Sequence, residues 1–370
     1  MKKLNLIMII ILILLLAFNC QRIASTQQNL CLPDNPNIHY TGRIDFSNPK
    51  SPKLSGAGAC FKMKFRGSDC EILLEDQNLY DNHNYISVVI DGKYQGRMKV
   101  SKDQTKYPVA ENLNNADHTL LICKATEAQI GYIEFSGISC SEILPFKNEH
   151  HRKIEFIGNS ITCGMGMDTS GIPCGAGTWY DQHNAYLAYG PLIARELNAD
   201  WLLSSVSGIG MTRNWNSPGP AMPEVYQNLY LNTDSTIAWN AGTYIPDLIS
   251  ICLGTNDFSD GDGSYQRAAL DSVQFVNRYF QFVKYIRSRS PQAQICCLTS
   301  PAISGEKGIK LKNYLSAVIQ HLQKTEKNEK VSLFVFSRNY SSGCTGHPDK
   351  EEHQMMAEEL LPFFKKVMGW

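Results

Sequence analysis

The sequence has no surplus of either charge. Its 35 lysines and arginines face 35 aspartates and glutamates, for a net charge of +0. No basic stripe is visible, so nucleic-acid binding has no electrostatic support. There is no pair of Cys-x-x-Cys motifs, which argues against a structural zinc site. Nothing else in the pattern calls for a metal or an organic cofactor. The longest apolar run, Leu4 to Phe18, is shorter than the ~20 residues a bilayer-spanning helix needs. It follows Lys2 and Lys3, so residues 1–20 read as an export signal and stand outside the fold.

What is present is a globular composition, with 43% hydrophobic and 19% charged residues. At 370 residues the chain exceeds what one ordinary core holds, so two domains are expected. Cysteine is plentiful, at 12 residues, which suits an exported protein. Cys20 lies just past the apolar run and resembles the lipidated cysteine of a bacterial lipoprotein, although Phe18 and Asn19 are bulky where small residues are usual; ordinary cleavage to a soluble product is the other reading. Membrane association is expected only through that anchor. Cys163 and Cys174 bracket a short loop and are the expected disulfide. Cys296-Cys297 lies in an apolar run and reads as core.

Residues 21–36 read as a spacer. Residues 37–148 have an all-β texture, with strands expected at Ala59 to Phe65, Cys70 to Leu74, Tyr85 to Ile90, Thr119 to Lys124 and Gly131 to Phe135. Such spacing suggests a sandwich or jelly roll. No group in it has a catalytic spacing, so it reads as scaffold or carbohydrate-facing support. His150 and His151 fall in a polar junction and read as linker residues. From 152 to 370 the texture alternates. Strands are expected at Lys153 to Ile157, Trp201 to Val206, Leu248 to Leu253, Ile295 to Leu298 and Val331 to Phe336. Helices are expected at Ala185 to Leu197, Tyr265 to Arg289, Lys310 to Gln323 and Lys350 to Val367. The second helix has a stripe of Ala269, Val273, Val276, Phe280, Val283 and Ile286, read as core. This alternation implies a parallel sheet with helices on both faces, an α/β domain.

Four segments follow strands or precede the last helix. GNSITCG, Gly158 to Gly164, follows the first strand of the α/β domain. Small residues there leave Ser160 uncovered at the sheet's carboxyl edge, where open α/β sheets place their sites. By itself the motif fits equally a serine that merely caps a helix. SGIG, Ser207 to Gly210, follows the second strand. GTND, Gly254 to Asp257, follows the third. His347-Pro348-Asp349 precedes the final helix. Together they supply what ester cleavage needs. Ser160 is the expected nucleophile and His347 the base. The N–H groups of Ser160 and Gly208 and the amide of Asn256 are the expected oxyanion donors; losing one such donor typically costs ~3 kcal/mol of barrier.

The set Ser160, Gly208, Asn256, His347 resembles the SGNH/GDSL hydrolase superfamily, in the right order, with Asn159 where an Asp is usual. TGRIDFS (Thr41 to Ser47), IDGKYQG (Ile90 to Gly96) and HTLLICKATE (His118 to Glu127) precede it, and HPDKEEHQMMA (His347 to Ala357) closes it. With these the chain resembles carbohydrate esterase family 2 from about residue 37 onwards. The resemblance implies a jelly-roll domain, a three-layer hydrolase domain, no cofactor, and deacetylation of polysaccharides such as xylan and glucomannan. One departure stands out. The Asp that often precedes the histidine by three residues is Cys344 here. A Ser-His dyad is therefore expected, with a backbone carbonyl orienting the ring. Asp349 is expected to cap the last helix, Asp257 to orient its loop, and His353 and His183 to be structural or lining residues.

Trp179, Tyr180 and Trp215 are the candidate sugar-stacking residues of the cleft; each could equally fill core. The expected substrate is an acetylated polysaccharide or oligosaccharide, met outside the cytoplasm. Two other readings stay open: a carbohydrate-binding surface protein with an inactive hydrolase domain, favoured only by Cys344, and an esterase of another small acyl ester.

Overall fold

The computed structural model describes residues 29–78, 82–149, 152–234, 236–240, 242, 244–325 and 330–370. The export segment, Cys20, His150 and His151 lie outside the described residues.

The first domain is antiparallel. Its strands are β1 (Asn29–Cys31), β2 (His39–Thr41), β3 (Ile44–Asp45), β4 (Lys53–Leu54), β5 (Cys60–Asn78), β6 (Asn84–Ile90), β7 (Lys93–Val100), β8 (Lys106–Ala110), β9 (Ala116–Lys124) and β10 (Gly131–Leu144). They form one curled sheet of order β3-β4-β10-β5-β9-β6-β7, with β1 on β10 and β2 and β8 on β5. Alternate residues of β5, such as Phe61, Met63, Phe65, Ile72 and Leu74, point into its core.

Two expectations change here. The two strands expected at 59–74 are one long strand, β5. Gly67 carries it through with φ +127, a value that would strain an L residue. A Cβ there would also lie 2.7 Å from Ser141 Oγ. The spacer expected over 21–36 ends early, because Asn29–Cys31 pairs with Ile138–Cys140 of β10.

The second domain has a parallel sheet of β11 (Arg152–Gly158), β12 (Ala199–Ser205), β13 (Leu248–Ile251), β14 (Gln294–Leu298) and β15 (Val331–Phe334), in the order β12-β11-β13-β14-β15. Its long helices are α1 (Tyr189–Glu196), α2 (Ser272–Arg289), α3 (Gly305–Thr325) and α4 (Lys350–Met368). Phe156 packs on one face with Tyr189 and Ile193 of α1 and Leu360 and Phe364 of α4. Ile157 packs on the other with Phe275 and Val283 of α2 and Leu311 and Leu315 of α3. Cys296 and Cys297 fall on opposite faces of β14, each buried as core. Each such side chain contributes roughly 1.5–3 kcal/mol of burial.

Helix α2 starts later than expected, at Ser272 rather than Tyr265. Asp271 stops it, accepting from the N–H groups of Val273 and Gln274 at 2.9 and 3.0 Å. That register leaves Val273 67% exposed and puts Ala269 before the helix. The buried stripe is Phe275, Tyr279, Phe280, Phe282, Val283 and Ile286.

The domains share a core and a buried charge. Cys60, Val89 and Cys123 of the β domain join the α1 face of the sheet. Arg43, fully buried, enters the second domain between β2 and β3. It donates to the carbonyls of Asn228 (2.9 Å) and Tyr226 (3.0 Å) and to Ser204 Oγ. Ser204 and the Tyr226 hydroxyl in turn donate to buried Glu155 at 2.6 and 2.9 Å. Burial raises the Glu155 carboxyl, and the Arg43 charge pulls it back down. Removing one partner of such a network strands the other. Arg43→Met should lower stability by about 3 kcal/mol. In urea the parent should show one transition and the variant two; an unchanged single transition would show that the interface does not rely on Arg43.

Candidate active site

Strand β11 ends at Gly158, where no side chain fits: a Cβ would lie 2.0 Å from Thr162 Oγ1. The chain turns at once into a helical turn, Ser160–Cys163. Asn159, not Ser160, caps that turn, accepting from the N–H of Ile161 at 3.2 Å. Gly164 closes it in the left-handed region, φ +75. Ser160 is thereby freed of a capping role. Its Oγ lies 2.8 Å from Nε2 of His347.

Register brings the other loops to the same edge. Gly158 lies opposite Ser205 of β12, and Ile157 opposite Ile251 of β13. The segments leaving those ends carry Gly208 and Asn256. Gly208 has φ +75, which is the local reason for glycine. Space is not the reason, since a Cβ would meet only Trp215 Cβ, at an ordinary 3.8 Å. Among the described residues no hydrogen bond takes up the N–H of Ser160 or Gly208. Asn256 is buried, and its amide gives one hydrogen to the carbonyl of Ile209 at 2.7 Å. A second hydrogen is left over. Asp257 holds the SGIG loop, accepting from the N–H groups of Met211 (2.8 Å) and Thr212 (2.7 Å) and from the Thr212 hydroxyl (2.7 Å).

The loop before α4 sets the ring of His347. Asp349 caps α4, accepting from the N–H of Glu352 at 2.8 Å while Glu352 accepts from the Asp349 N–H at 3.3 Å. Gly343 donates to the His347 carbonyl at 2.7 Å, and Cys344 to the Gly166 carbonyl at 2.9 Å. Cys344 is also bonded to Cys174. The expected Cys163–Cys174 bridge is therefore corrected. Cys163 points inward, its thiol donating to Ser205 Oγ at 3.2 Å, while Cys174 reaches across to the histidine loop.

Thr345 was not singled out by sequence. It sits at φ +55, strained for a β-branched residue. Its one hydroxyl hydrogen goes to the Cys344 carbonyl at 2.7 Å. The oxygen, 3.2 Å from His347 Nδ1, must then accept. That assigns the hydrogen to Nδ1 and leaves the lone pair of Nε2 facing Ser160.

Residues 40–146 match the family Carbohydrate esterase 2 N-terminal, and residues 156–354 the GDSL-like Lipase/Acylhydrolase family. A solved family two carbohydrate esterase from Clostridium thermocellum, in complex with cellohexaose, is 30% identical, with a TM-score of 0.80; 90% of this chain and 99% of that one are covered. The chain belongs to the family two carbohydrate esterases. These are carboxylic ester hydrolases. The Cellulase/esterase CelE of Acetivibrio thermocellus is 31% identical over 91% of this chain, which spans 40% of that protein's length. An acetylxylan esterase / glucomannan deacetylase of Cellvibrio japonicus is 27% identical over 95% of this chain and 94% of its own.

In this esterase the candidate cleft aromatics differ in placement. Trp179 and Trp215 are each 44% exposed. Trp215 adjoins the Gly208 turn, donating its N–H to the Gly208 carbonyl at 2.8 Å. Tyr180 does not line a cleft. It is 2% exposed, beneath Trp179, with its hydroxyl 3.3 Å from His83 Nδ1. His183 is fully buried against Trp179, ring centroids 5.2 Å apart. His353 is buried too; it accepts from the Tyr189 N–H at 3.2 Å and stacks on that ring.

Removal from water pushes the His347 imidazole down to about 4, with neighbouring His183 adding to this. The carbonyls of Thr345 and Cys344, and Glu127, act the other way. The base expected from sequence is thus a ring that stays neutral well into acid. Two expectations follow for the esterase. A base works in its neutral form, above its pKa, so kcat/KM should stay level from neutral pH to about 5 and fall below it, half-lost near 4. A half-point near 6.5 in the pH profile would refute the burial argument. Thr345→Val keeps the shape and removes the acceptor. It should lower kcat about tenfold, the worth of one hydrogen bond, with KM unchanged; an unaltered kcat would free Thr345 of any part in holding the ring.

Proposed function

We propose that this esterase removes O-acetyl groups from plant polysaccharides of the xylan and glucomannan type, outside the cytoplasm, using Ser160 and His347 as a dyad. The 2.8 Å contact between Ser160 Oγ and an Nε2 that carries no hydrogen is the observation that carries this reading. The Cellvibrio japonicus relative supports the substrate class by its name.

The chemistry runs in two halves. His347 Nε2 takes the Ser160 proton as Oγ attacks the acetyl carbonyl. The N–H groups of Ser160 and Gly208 and the free Asn256 amide hydrogen take the oxyanion. The tetrahedral intermediate collapses, the C–O bond to the sugar breaks, and His347 returns the proton to the sugar oxygen. Water then attacks the acetyl-Ser160 ester, with His347 again accepting the proton, and acetate leaves. Trp179 and Trp215, exposed beside the site, offer flat faces for pyranose rings. Residues 1–20 are the export signal of this reading, with Cys20 its lipid anchor, and the Cys174–Cys344 bridge fits an oxidising compartment.

The test is acetate release from acetylated xylan and acetylated glucomannan by the chain lacking residues 1–20 and by its Ser160→Ala variant. The parent should release acetate and the variant at least about 10³-fold less. No release from either polymer, together with no hydrolysis of a small aryl acetate, would leave a carbohydrate-binding protein as the better reading.

A further inference from the structure

Glu127 comes from the β domain, just after β9, yet it is fully buried against the second domain. The dyad chemistry makes no use of it. Both carboxylate oxygens accept from the Ser207 N–H, each at 3.1 Å, and Oε2 accepts from the Ser207 hydroxyl. His183 Nε2 lies 3.5 Å from Oε2. Lys124, also fully buried, donates its ammonium to the carbonyls of Thr126 and Glu127 at 3.1 and 2.8 Å, which fixes the backbone from which Glu127 projects.

Ser207 immediately precedes Gly208. Its N–H is pinned by Glu127, and the Gly208 carbonyl is pinned by the Trp215 N–H at 2.8 Å. Between those anchors lies the Gly208 N–H, unused by any hydrogen bond among the described residues. The peptide that carries an oxyanion donor is thus clamped at both ends, once by each domain.

We propose that Glu127 is a positioning residue: the β domain reaches across with this carboxylate to aim the Gly208 N–H at the oxyanion. The inference rests on the reading of Gly208 as an oxyanion donor. Glu127 carries a charge that cuts both ways, favouring the protonated His347 while opposing an oxyanion that forms nearby. Its value is therefore in the geometry it imposes on Ser207. A glutamine keeps an acceptor for the Ser207 N–H and lacks the charge.

The experiment compares the two-domain parent with Glu127→Ala, Glu127→Gln and Ser160→Ala. Aryl acetate is the substrate, and rates are normalised to active sites titrated with a serine-reactive phosphonate. Glu127→Ala should lose 10- to 100-fold in kcat per titrated site, with KM within twofold, and Glu127→Gln should stay within threefold of the parent. Affinity for a boronic acid, which places an oxygen where the oxyanion forms, should fall in parallel with kcat. A merely structural role would lower the number of titrated sites and leave kcat per site and boronate affinity as in the parent; that result overturns the proposal. If Glu127→Ala does not fold, Glu127→Asp withdraws the carboxylate by one methylene. A fivefold or greater loss per site supports the proposal, and an unchanged value overturns it. Activity persisting in Ser160→Ala would overturn the dyad reading itself, and this proposal with it.

Discussion

Everything at the site depends on the parallel register of three strands. With Gly158 beside Ser205 and Ile157 beside Ile251, the chain leaves β11, β12 and β13 at one height. Ser160, Gly208 and Asn256 follow within a few residues of those ends, so no long loop is needed to bring them together. A slip of one residue in β12 would move its loop by about 3.3 Å. It would also turn Leu203, which packs on the α1 face, to the other side of the sheet. Because both faces are covered by helices of different shape, the core that stabilises the sheet also fixes where its loops begin.

The segment after Ser160 is the opposite case. Residues 164–184 include glycines and polar residues and form little regular structure, so their own packing holds them weakly. The β domain supplies what they lack. Arg97 donates to the His183 carbonyl at 2.6 Å and pairs with Asp168 at 2.9 Å. His83 meets Asp181 at 2.7 Å, and Ser87 donates to Asn184 at 3.0 Å. The Cys174–Cys344 bridge then ties this loop to the one that carries His347. The β domain thus holds the rim on which Trp179 sits and, through the disulfide, the histidine loop.

The parts legible in the sequence were those whose chemistry acts locally. Apolar strands ending in GNSITCG, SGIG and GTND announce loops at a sheet edge, because only small or polar residues suit those positions. Asp349 was legible as a cap for the same reason, whereas Asp257, expected to orient its own loop, holds the SGIG loop 45 and 46 residues away. Other features answer to partners far along the chain. Cys174 pairs with Cys344 across 170 residues, and spacing alone favoured nearby Cys163. Glu127 meets Ser207 across 80 residues and a domain boundary. Tyr180 has the composition of a sugar-facing residue but is covered by Trp179 and His83. Cys344 was legible as the departure, but a backbone carbonyl was expected to orient the ring, whereas it is the Thr345 side-chain hydroxyl that meets Nδ1. A cysteine where a carboxylate is usual invites the question of what holds the histidine instead, and the disulfide with the Thr345 hydroxyl is the answer.

That substitution has a consequence for how the work of catalysis is divided. A carboxylate on Nδ1 would raise the ring's basicity. A hydroxyl and backbone carbonyls orient the ring but do little to offset burial, and the pKa stays at about 4. Relative to an ordinary histidine near 6.5, accepting the Ser160 proton is then harder. Above about pH 5 the ring is neutral and ready, yet it is a weak base. The shortfall has to be made up in the same step by whatever stabilises the charges being formed. Glu127 lies within electrostatic reach of His347 and favours its protonated form. It does so while anchoring the loop that presents Gly208 to the oxyanion. A dyad without an acid therefore leans more heavily on well-aimed oxyanion donors, which is a physical reason for clamping that loop from both domains.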